Sequence, residues 1–313
     1  MIDNMKLKLR AGTRGSKLAR RQTALIIEKI IANNPDLEID EVVISTKGDQ
    51  DKRPFKNLVT GGEMGLFTKE LEKALLSGEI DFAVHSLKDL PVELPPGLVL
   101  GAIPRRELPF DALVTRDRKT LSDLPPGSLI GTSSQRRAYQ IKYHYPDLEV
   151  VDMRGNLDTR LGKLARGEVD AVILAAAGLA RLGYRETEDF SLIPPEICLP
   201  APGQGALAVE VRQGDSYLQD ICRHTLDDHP TRQAVSAERC LLQALGGGCQ
   251  VPLGAFSQVK GDTLLLQGVV AAPDGTLILK AEARCHVENP QEASSLLAAE
   301  LIEKGAKEIL TCE

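Results

Sequence analysis

Cys249 stands in a sequence context that makes covalent chemistry available to its thiol. It follows three glycines in LGGGCQVPLG. Glycine permits backbone conformations closed to other residues and adds no steric cover, so this thiol can stand exposed as a point of covalent attachment. A cysteine is more often a small buried apolar side chain, and on local grounds both interpretations stay open.

Asp89 in VHSLKDLP lies where a short apolar strand must leave its sheet, because Leu90 precedes a proline and favours an extended backbone. A carboxyl group at this point can exchange protons and stabilise a cation. The simpler interpretation is a turn-forming residue or a partner of Lys88. His85, in the same segment, is equally well explained as a buried histidine whose hydrogen bonds are satisfied.

Basic residues lie at the start of three predicted helices, where the helix dipole disfavours them. They are Arg14, Lys17, Arg20 and Arg21 in TRGSKLARRQ, Arg136 and Arg137 in GTSSQRR, and Arg154, Arg160 and Lys163 around a helix that Asp158 is expected to cap. Each mismatch costs only about 0.3–1 kcal/mol, so side chains that turn into water are the simpler alternative. Three such helices after predicted strands favour a shared anion site, because ligands of open α/β sheets bind at strand carboxyl ends.

The anion predicted for this site is a carboxylate rather than a nucleotide phosphate. The sequence has no GxxxxGK[ST] motif and no GxGxxG motif opening a helix. The planar fork of arginine can bind a carboxylate through two parallel hydrogen bonds. The glycines of VTGGEMGLF, residues 59–67, match neither phosphate-binding template and predict a mobile loop.

Two αβ lobes are predicted to position these residues. Apolar patterns predict strands over residues 6–13, 37–45, 80–86, 112–115, 128–132, 149–153 and 171–176. Helices are predicted over residues 17–32, 66–76, 135–143 and 157–165. This alternation is typical of sheets with helices on both faces.

An α+β pattern follows LPAPGQGALAVEVR. A helix near residues 231–245 ends at a run of glycines, and a second helix is predicted over residues 290–304. Between them, residues 253–287 predict strands joined by turns at Lys260-Gly261-Asp262 and Pro273-Asp274-Gly275.

Composition restricts the class of protein. The 313 residues carry a net charge of −6, which argues against a general affinity for nucleic acid or acidic membranes. The six cysteines show no CxxC spacing, so neither a zinc site nor a disulfide framework is expected. No apolar run reaches the ~18 residues of a membrane span and no signal peptide is recognisable, so we expect a cytoplasmic protein.

Nine segments in one order resemble the porphobilinogen deaminase family over nearly the whole chain. They are TRGSKLA, KGD at residues 47–49, GLFTKELE, VHSLKDLP, GTSSQRR, RGNLDTRL, ILAAAGLARL, LPAPGQGA and GGGCQVP. The resemblance implies two lobes like those of periplasmic binding proteins around a cleft, and a small α+β domain with an antiparallel sheet. The expected divisions are residues 1–104 with 205–225, residues 110–199, and a cofactor-attachment domain over residues 228–313.

The resemblance also implies roles for individual residues. Asp89 corresponds to the catalytic aspartate, and Cys249 to the covalent attachment of a dipyrromethane cofactor. The other residues expected to contact the cofactor are Ser16, Lys88, Thr132, Ser133, Ser134, Arg136 and Arg137. Those expected to bind substrate are Arg14, Gln22, Ser86, Arg154 and Arg160. No metal is implied.

The reaction implied by the resemblance joins four porphobilinogen molecules head to tail, with loss of ammonia, on the dipyrromethane primer. Hydrolysis then releases the linear tetrapyrrole hydroxymethylbilane. Each added ring brings two carboxylates, which is why many arginines are needed. The partners expected are porphobilinogen and the growing pyrrole chain, and the resemblance implies a monomer.

The sequence departs from the family pattern in three places. Thr60 and Met64 stand where loop lysines are usual, with Glu63 added, so two carboxylate contacts are absent or supplied elsewhere. Leu108 and Phe110 replace an acid and an arginine, and Lys17 replaces a proline. The alternative function is a non-catalytic binding protein for small carboxylates, which would have no use for GGGCQVP or for a third domain.

Overall fold

The computed structural model describes residues 7–46, 68–246 and 251–311. Strands β1 to β13 are Leu7–Arg14, Leu37–Ile44, Phe82–Ser86, Leu98–Ala102, Asp111–Thr115, Leu129–Gly131, Glu149–Val151, Ala171–Ala175, Ser191–Leu192, Leu207–Arg212, Leu253–Lys260, Thr263–Ala271 and Ile278–His286. Helices α1 to α9 are Lys17–Asn33, Lys69–Leu76, Gln135–His144, Leu157–Ala165, Ala176–Arg181, Ser216–Thr225, His229–Ala244, Pro290–Glu303 and Ala306–Thr311.

The described chain separates into two compact units. The first consists of the described residues of Met1–Arg106 and Ala206–Arg232, and the second of those of Glu107–Gly205 and Gln233–Glu313. The division into three domains stays a prediction, because the second αβ lobe and most of the C-terminal α+β segment fall in one unit.

The first unit is built on a five-stranded sheet in the order β2-β1-β3-β10-β4. Strand β1 is parallel to β2 and β3, whereas β10 is antiparallel to both β3 and β4. Successive residues of β3 alternate between two buried cores. Phe82 and Val84 pack with Ile26 of α1, and Ala83 packs with Leu71 of α2. Helices therefore cover both faces, as the sequence pattern predicts.

The second unit contains a five-stranded sheet of the same design, in the order β7-β6-β8-β5-β9. Strand β6 is parallel to β7 and β8, and β5 is antiparallel to β8 and β9. Val172 and Leu174 of β8 face one apolar core, while Ile173 faces another that includes Ile141 of α3. The prediction of two similar αβ lobes is confirmed.

A separate antiparallel sheet, β11-β12-β13, completes the second unit. Leu266 of β12 packs with Leu241 of α7 and Leu297 of α8 in a core that is buried under the two helices. The predicted turns are present, and Asp274 Oδ1 accepts the Thr276 N–H at 3.0 Å. The α/β class with a small antiparallel sheet is thus confirmed.

Several elements differ from their predictions. Strand β7 ends at Val151, two residues before the predicted limit, and α7 begins at His229, two residues before its predicted start. Strands β4, β9 and β10 and helices α5, α6 and α9 were not predicted at all. The segment LAVEVR of β10 is buried on both faces, and a short segment of this kind has no period that distinguishes strand from helix. Among the described helices, none has the length and apolar character to cross a membrane.

Candidate functional site

Predicted site residues lie at the carboxyl edge of the first unit's sheet. Arg14 is the last residue of β1, and Ser16 is the N-cap of α1. The Ser16 hydroxyl accepts the Ala19 N–H at 3.2 Å, which satisfies one of the free donors of the first helical turn. The short β1–α1 connection therefore places a cation and a helix start at the same strand end.

Strand β3, parallel to β1, ends beside this connection. Gln22 of α1 and Ser86 of β3 exchange two hydrogen bonds, from Gln22 Nε2 to Ser86 Oγ at 3.0 Å and from Ser86 Oγ to Gln22 Oε1 at 3.2 Å. The structure thus brings together two residues that were predicted to bind substrate and that are 64 positions apart in the sequence.

Asp89 follows in a single 3₁₀ turn, Leu87–Asp89, which the Leu87 N–H anchors to the Ala206 carbonyl at 3.0 Å. Asp89 and Lys88 are both half-buried. Within the described ranges, the Asp89 carboxylate makes no hydrogen bond or ion pair. The Asp89 side chain is therefore held by its backbone near the end of β3 while its oxygens remain available to a ligand.

His85 has a structural role behind this turn. Its Nε2 lies 3.0 Å from Glu210 Oε2 of β10, and the two side chains are 3% and 0% exposed. This pair joins the central strands of the first sheet on the face opposite Ser86. The interpretation of His85 as a buried histidine with a satisfied hydrogen bond agrees with this contact.

The second unit presents a matching edge after β6. The Thr132 N–H donates to the Val151 carbonyl at 3.0 Å, and the Ser134 N–H donates to Thr132 Oγ1 at 3.2 Å. The Ser133 hydroxyl donates to the Met153 carbonyl, which ties the loop after β6 to the loop after β7. Thr132, Ser133 and Ser134 thus form the connection into α3.

Arg136 and Arg137, in the first turn of α3, point into the interior of the second unit. They are 4% and 6% exposed, and both bind the carboxylate of Asp111, the first residue of β5. Arg136 Nη1 donates to Asp111 Oδ2 at 2.7 Å, and Arg137 Nε donates to Oδ1 at 2.8 Å. Burial alone would raise the pKa of Asp111, but the charges of the two guanidinium groups outweigh it and hold that pKa well below its usual range.

This buried cluster has one positive charge in excess, because two cations share one carboxylate. Its other members are neutral. Gln204 carries an uncharged amide, and burial raises the pKa of the Cys198 thiol to about 12. Arg136 Nε is buried and makes no hydrogen bond to any residue that the structure describes. Leaving a buried donor unpaired costs about 1–3 kcal/mol, so an anion that reaches this edge of Arg136 would be bound favourably.

Arg154 and Arg160 flank the start of α4, and both are half-buried. Asn156 caps this helix by accepting the Thr159 N–H at 2.9 Å, so the expectation that Asp158 is the cap was wrong. Asp158 lies in the first turn and Lys163 in the last, where the helix dipole favours them. Arg160 alone opposes the dipole, and its Nε donates to the Gly155 carbonyl at 2.9 Å.

The basic residues of α1 follow the simpler interpretation. Arg20 pairs with Glu41 at 2.7 Å and Arg21 with Glu28 at 3.0 Å, and all four groups lie at the surface or near it. Cys249, the KGD segment and the whole loop over residues 59–67, with Thr60, Glu63 and Met64, lie outside the described residues.

Three residues at these edges were not predicted. Asp111 lies in the segment RRELPFDAL and Gln204 in LPAPGQG, and no role was predicted for either residue. Gln204 Nε2 donates to Asp111 Oδ1 at 2.9 Å. Arg181 ends α5 and donates to the Gly205 carbonyl at 2.6 Å, and burial lowers its pKa to about 10. A buried acid next to paired arginines is the signal that could have identified Asp111.

The two sheets, with hydroxyl and guanidinium groups at the ends of their parallel strands, define a protein of the α/β class. The family model described as "Porphobilinogen deaminase, dipyromethane cofactor binding domain" matches residues 9–220, and the corresponding C-terminal domain model matches residues 232–303. The chain belongs to the porphobilinogen deaminase family. It is a transferase with hydroxymethylbilane synthase function, and its cofactor is dipyrromethane.

Curated relatives agree over nearly their full length. A porphobilinogen deaminase of Thermus thermophilus is 47% identical over 300 residues, covering 96% of this chain and 97% of the relative. One of Bacillus subtilis is 45% identical over 303 residues, covering 96% and 95%. This similarity does not favour the alternative of a non-catalytic binding protein.

Solved structures with a similar backbone include solute-binding proteins. A probable amino-acid transporter extracellular-binding protein, ytmK of Bacillus subtilis, aligns with a TM-score of 0.41 and 12% identity, covering 70% of this chain and 89% of that one. A periplasmic VFT2 domain of Bordetella pertussis BvgS aligns with a TM-score of 0.40 and 14% identity, covering 76% and 95%.

Proposed function

We propose that this chain attaches dipyrromethane through a thioether to Cys249 and extends it with four porphobilinogen molecules. Hydrolysis then releases hydroxymethylbilane and leaves the primer in place. The observation that carries the proposal is the buried Arg136, which has an unpaired Nε in a cluster with excess positive charge. Such a cluster favours an anionic ligand, and the family supplies one whose pyrrole rings bear carboxylates.

Several described residues carry groups that suit the carboxylates of this cofactor. Arg136 and Arg137 would compensate its carboxylates, and the hydroxyl and N–H groups at the connection into α3 would donate hydrogen bonds to them. From the first unit, the proposed contacts are Ser16, Lys88 and Asp89; from the second, Thr132, Ser133 and Ser134 accompany the two arginines. When bound, dipyrromethane supplies the pyrrole α-carbon to which the first porphobilinogen is joined.

Asp89 is the proposed catalytic residue. Its carboxylate can stabilise the positive charge that develops on the substrate pyrrole while the aminomethyl nitrogen leaves as ammonia. The same oxygens can then accept the proton released from the α-carbon after the new bond forms. Both tasks need a carboxylate without a strong protein partner, and Asp89 makes no hydrogen bond within the described ranges.

Substrate carboxylates are assigned to a second set of residues. Arg14 at the end of β1 and the Gln22–Ser86 pair lie at the carboxyl edge of the first sheet. Arg154 and Arg160 lie beside the start of α4 in the second unit. Because every added ring brings two more carboxylates, cations beyond the two in α3 are needed to compensate the growing chain.

The intact mass of the denatured protein tests the attachment directly. We expect purified wild-type protein, alone or after incubation with porphobilinogen, to carry a mass increment of two linked pyrrole units. Cys249→Ser should lack the increment under both conditions, because a serine hydroxyl is a far weaker nucleophile than a thiolate. A wild-type mass that stays unmodified after incubation would contradict the proposal, and an increment retained in Cys249→Ser would reassign the attachment residue.

We also propose that the protein works in the cytoplasm as a monomer, with no nucleic-acid or membrane partner. The net charge of −6 supports the absence of a nucleic-acid or acidic-membrane partner, because polyanionic partners are bound by an excess of basic surface groups.

A further inference from the structure

Asp111 lies at the centre of the positively charged cluster without being one of the proposed ligand-binding residues. Its side chain is fully buried at the start of β5. Oδ1 accepts hydrogen bonds from Arg137 and from Gln204 Nε2, and Oδ2 accepts one from Arg136. Gln204 Nε2 also donates to the Pro109 carbonyl at 2.8 Å. Every strong contact of this carboxylate is therefore directed at the arginines or at the residue that holds it in place.

The contacts of Arg136 are all on one side of its guanidinium group. Nη1 donates to Asp111 Oδ2 and to the Leu199 carbonyl, each at 2.7 Å, and lies 3.3 Å from Cys198 Sγ. Nε and Nη2 make no hydrogen bond to any described residue. Because the guanidinium group is planar, two bonds to Nη1 fix the direction of the opposite Nε–Nη2 edge, the edge suited to a bidentate carboxylate.

Arg137 is held differently by the same acid. Its Nε and Nη2 both contact Asp111 Oδ1, at 2.8 and 2.7 Å, and its Nη1 donates to the Ile173 carbonyl at 3.0 Å. Without the carboxylate, two buried cations would face each other and would separate or rotate. Asp111 thus determines the orientation of both side chains.

We infer that Asp111 is a positioning residue, whose buried carboxylate fixes Arg136 so that its Nε–Nη2 edge is presented to a carboxylate of the pyrrole primer. The inference rests on the proposed function. It assigns to the RRELPFDAL segment a role in assembling the primer, through Arg136 and without contact between Asp111 and the ligand. Gln204 of the LPAPGQG segment supports the same carboxylate.

Asp111→Asn tests the inference, since it keeps the shape of the side chain and removes its charge. We expect a folded protein in which the fraction carrying the two-pyrrole mass increment falls. The rate at which added porphobilinogen primes the unmodified molecules should fall on the order of 10²-fold. This is the effect of misplacing a reacting or binding group by about 1 Å. In the primed fraction, KM for porphobilinogen should change more than kcat.

Asp81→Asn is the matched control. Asp81 also binds two arginines, Arg10 at 3.0 Å and Arg212 at 3.2 Å, but it lies in the first unit and contacts neither Arg136 nor Arg137. The Asp81→Asn substitution should lower the melting temperature without slowing priming. Equal priming rates in the two variants would overturn the inference.

If Asp111→Asn does not fold, Gln204→Met gives a milder test, because it removes a hydrogen bond to Asp111 and keeps the charge. Slower priming is expected, and a wild-type rate would overturn the inference.

A double-mutant cycle tests whether Asp111 acts through Arg136. In an Arg136→Gln background, the Asp111→Asn substitution should cause a smaller loss of priming than it does in the wild type, because only Arg137 is left to be misplaced. A loss as large as that in the wild type would show that Asp111 acts independently of Arg136. Failure of the wild type to prime would instead contradict the proposed function.

Discussion

At the scale of single residues, the basic side chains at the predicted helix starts look equivalent in the sequence but have different ion-pair partners in the structure. Arg20 and Arg21 pair with surface glutamates, whereas Arg136 and Arg137 share one buried carboxylate. Surface ion pairs contribute about 0–1 kcal/mol, but a buried cation must be compensated almost completely. The second kind of arginine is therefore the one that indicates a ligand.

The residue-scale prediction concerns Asp89. Asp89→Asn should keep the fold, because the carboxylate has no partner among the described residues, and should lower ammonia release from porphobilinogen by about 10²–10⁴-fold, the usual contribution of a proton-transfer group. Ammonia is measured together with the melting temperature. Asp40→Asn, which removes an exposed carboxylate paired with Lys8 at 2.8 Å in the same unit, is the control. Undiminished ammonia release by Asp89→Asn would remove this residue from the mechanism.

At the scale of secondary-structure elements, the connections that follow parallel strands carry the site. Each of β1, β3 and β6 ends at a predicted site residue or one residue before it, and short connections leave those side chains little freedom. Basic residues near helix starts were a less reliable indication of the site. In α4 an acidic residue in the first turn and a lysine in the last satisfy the dipole, and Asn156 supplies the cap.

Gly205 provides the element-scale prediction, because it closes the LPAPGQG loop of the second unit. Its φ is +88°, and an added Cβ would lie 2.5 Å from the Glu107 carbonyl oxygen. We expect Gly205→Ala to destabilise the protein by more than the roughly 1–3 kcal/mol of a strained backbone conformation, seen as a lower melting temperature.

Gly183→Ala is the control for that substitution. Gly183 has φ of +90° in the same unit, and nothing lies within 4 Å of its Cβ position. Gly183→Ala should therefore lose the stability that the positive φ costs an alanine, without the further loss from a steric clash. Equal losses of stability in the two variants would mean that the loop relaxes away from Glu107 and that the close approach is unimportant.

At the scale of the whole molecule, an acidic protein contains a local positive site. The net charge is −6, yet the cluster around Asp111 carries one uncompensated positive charge in the interior of the second unit. Among the described residues, nothing compensates that charge or pairs with Arg136 Nε in the unprimed protein. Primer binding should therefore stabilise the folded state as well as enable the reaction.

We expect Cys249→Ser, which cannot be primed, to melt at a lower temperature than primed wild type. An unpaired buried donor costs about 1–3 kcal/mol, and each kcal/mol corresponds to about 2–4 °C in a domain of 150–250 residues. Thermal unfolding followed by circular dichroism measures the difference. Cys285→Ser controls for the loss of a half-buried thiol elsewhere. Equal melting temperatures for the two cysteine variants would contradict the expectation.

The sequence by itself determined the α/β class, the two similar lobes, most helix limits to within two residues, and the segments that carry Asp89, Arg136 and Arg137. These follow from local apolar periods and from motifs that a linear chain displays. Only the tertiary structure showed that β10 closes the first sheet, that Gln22 meets Ser86, and that Asp111 binds both arginines. Each of these joins residues between 25 and 129 positions apart, and such pairings are decided by burial and packing of the whole chain rather than by any local pattern.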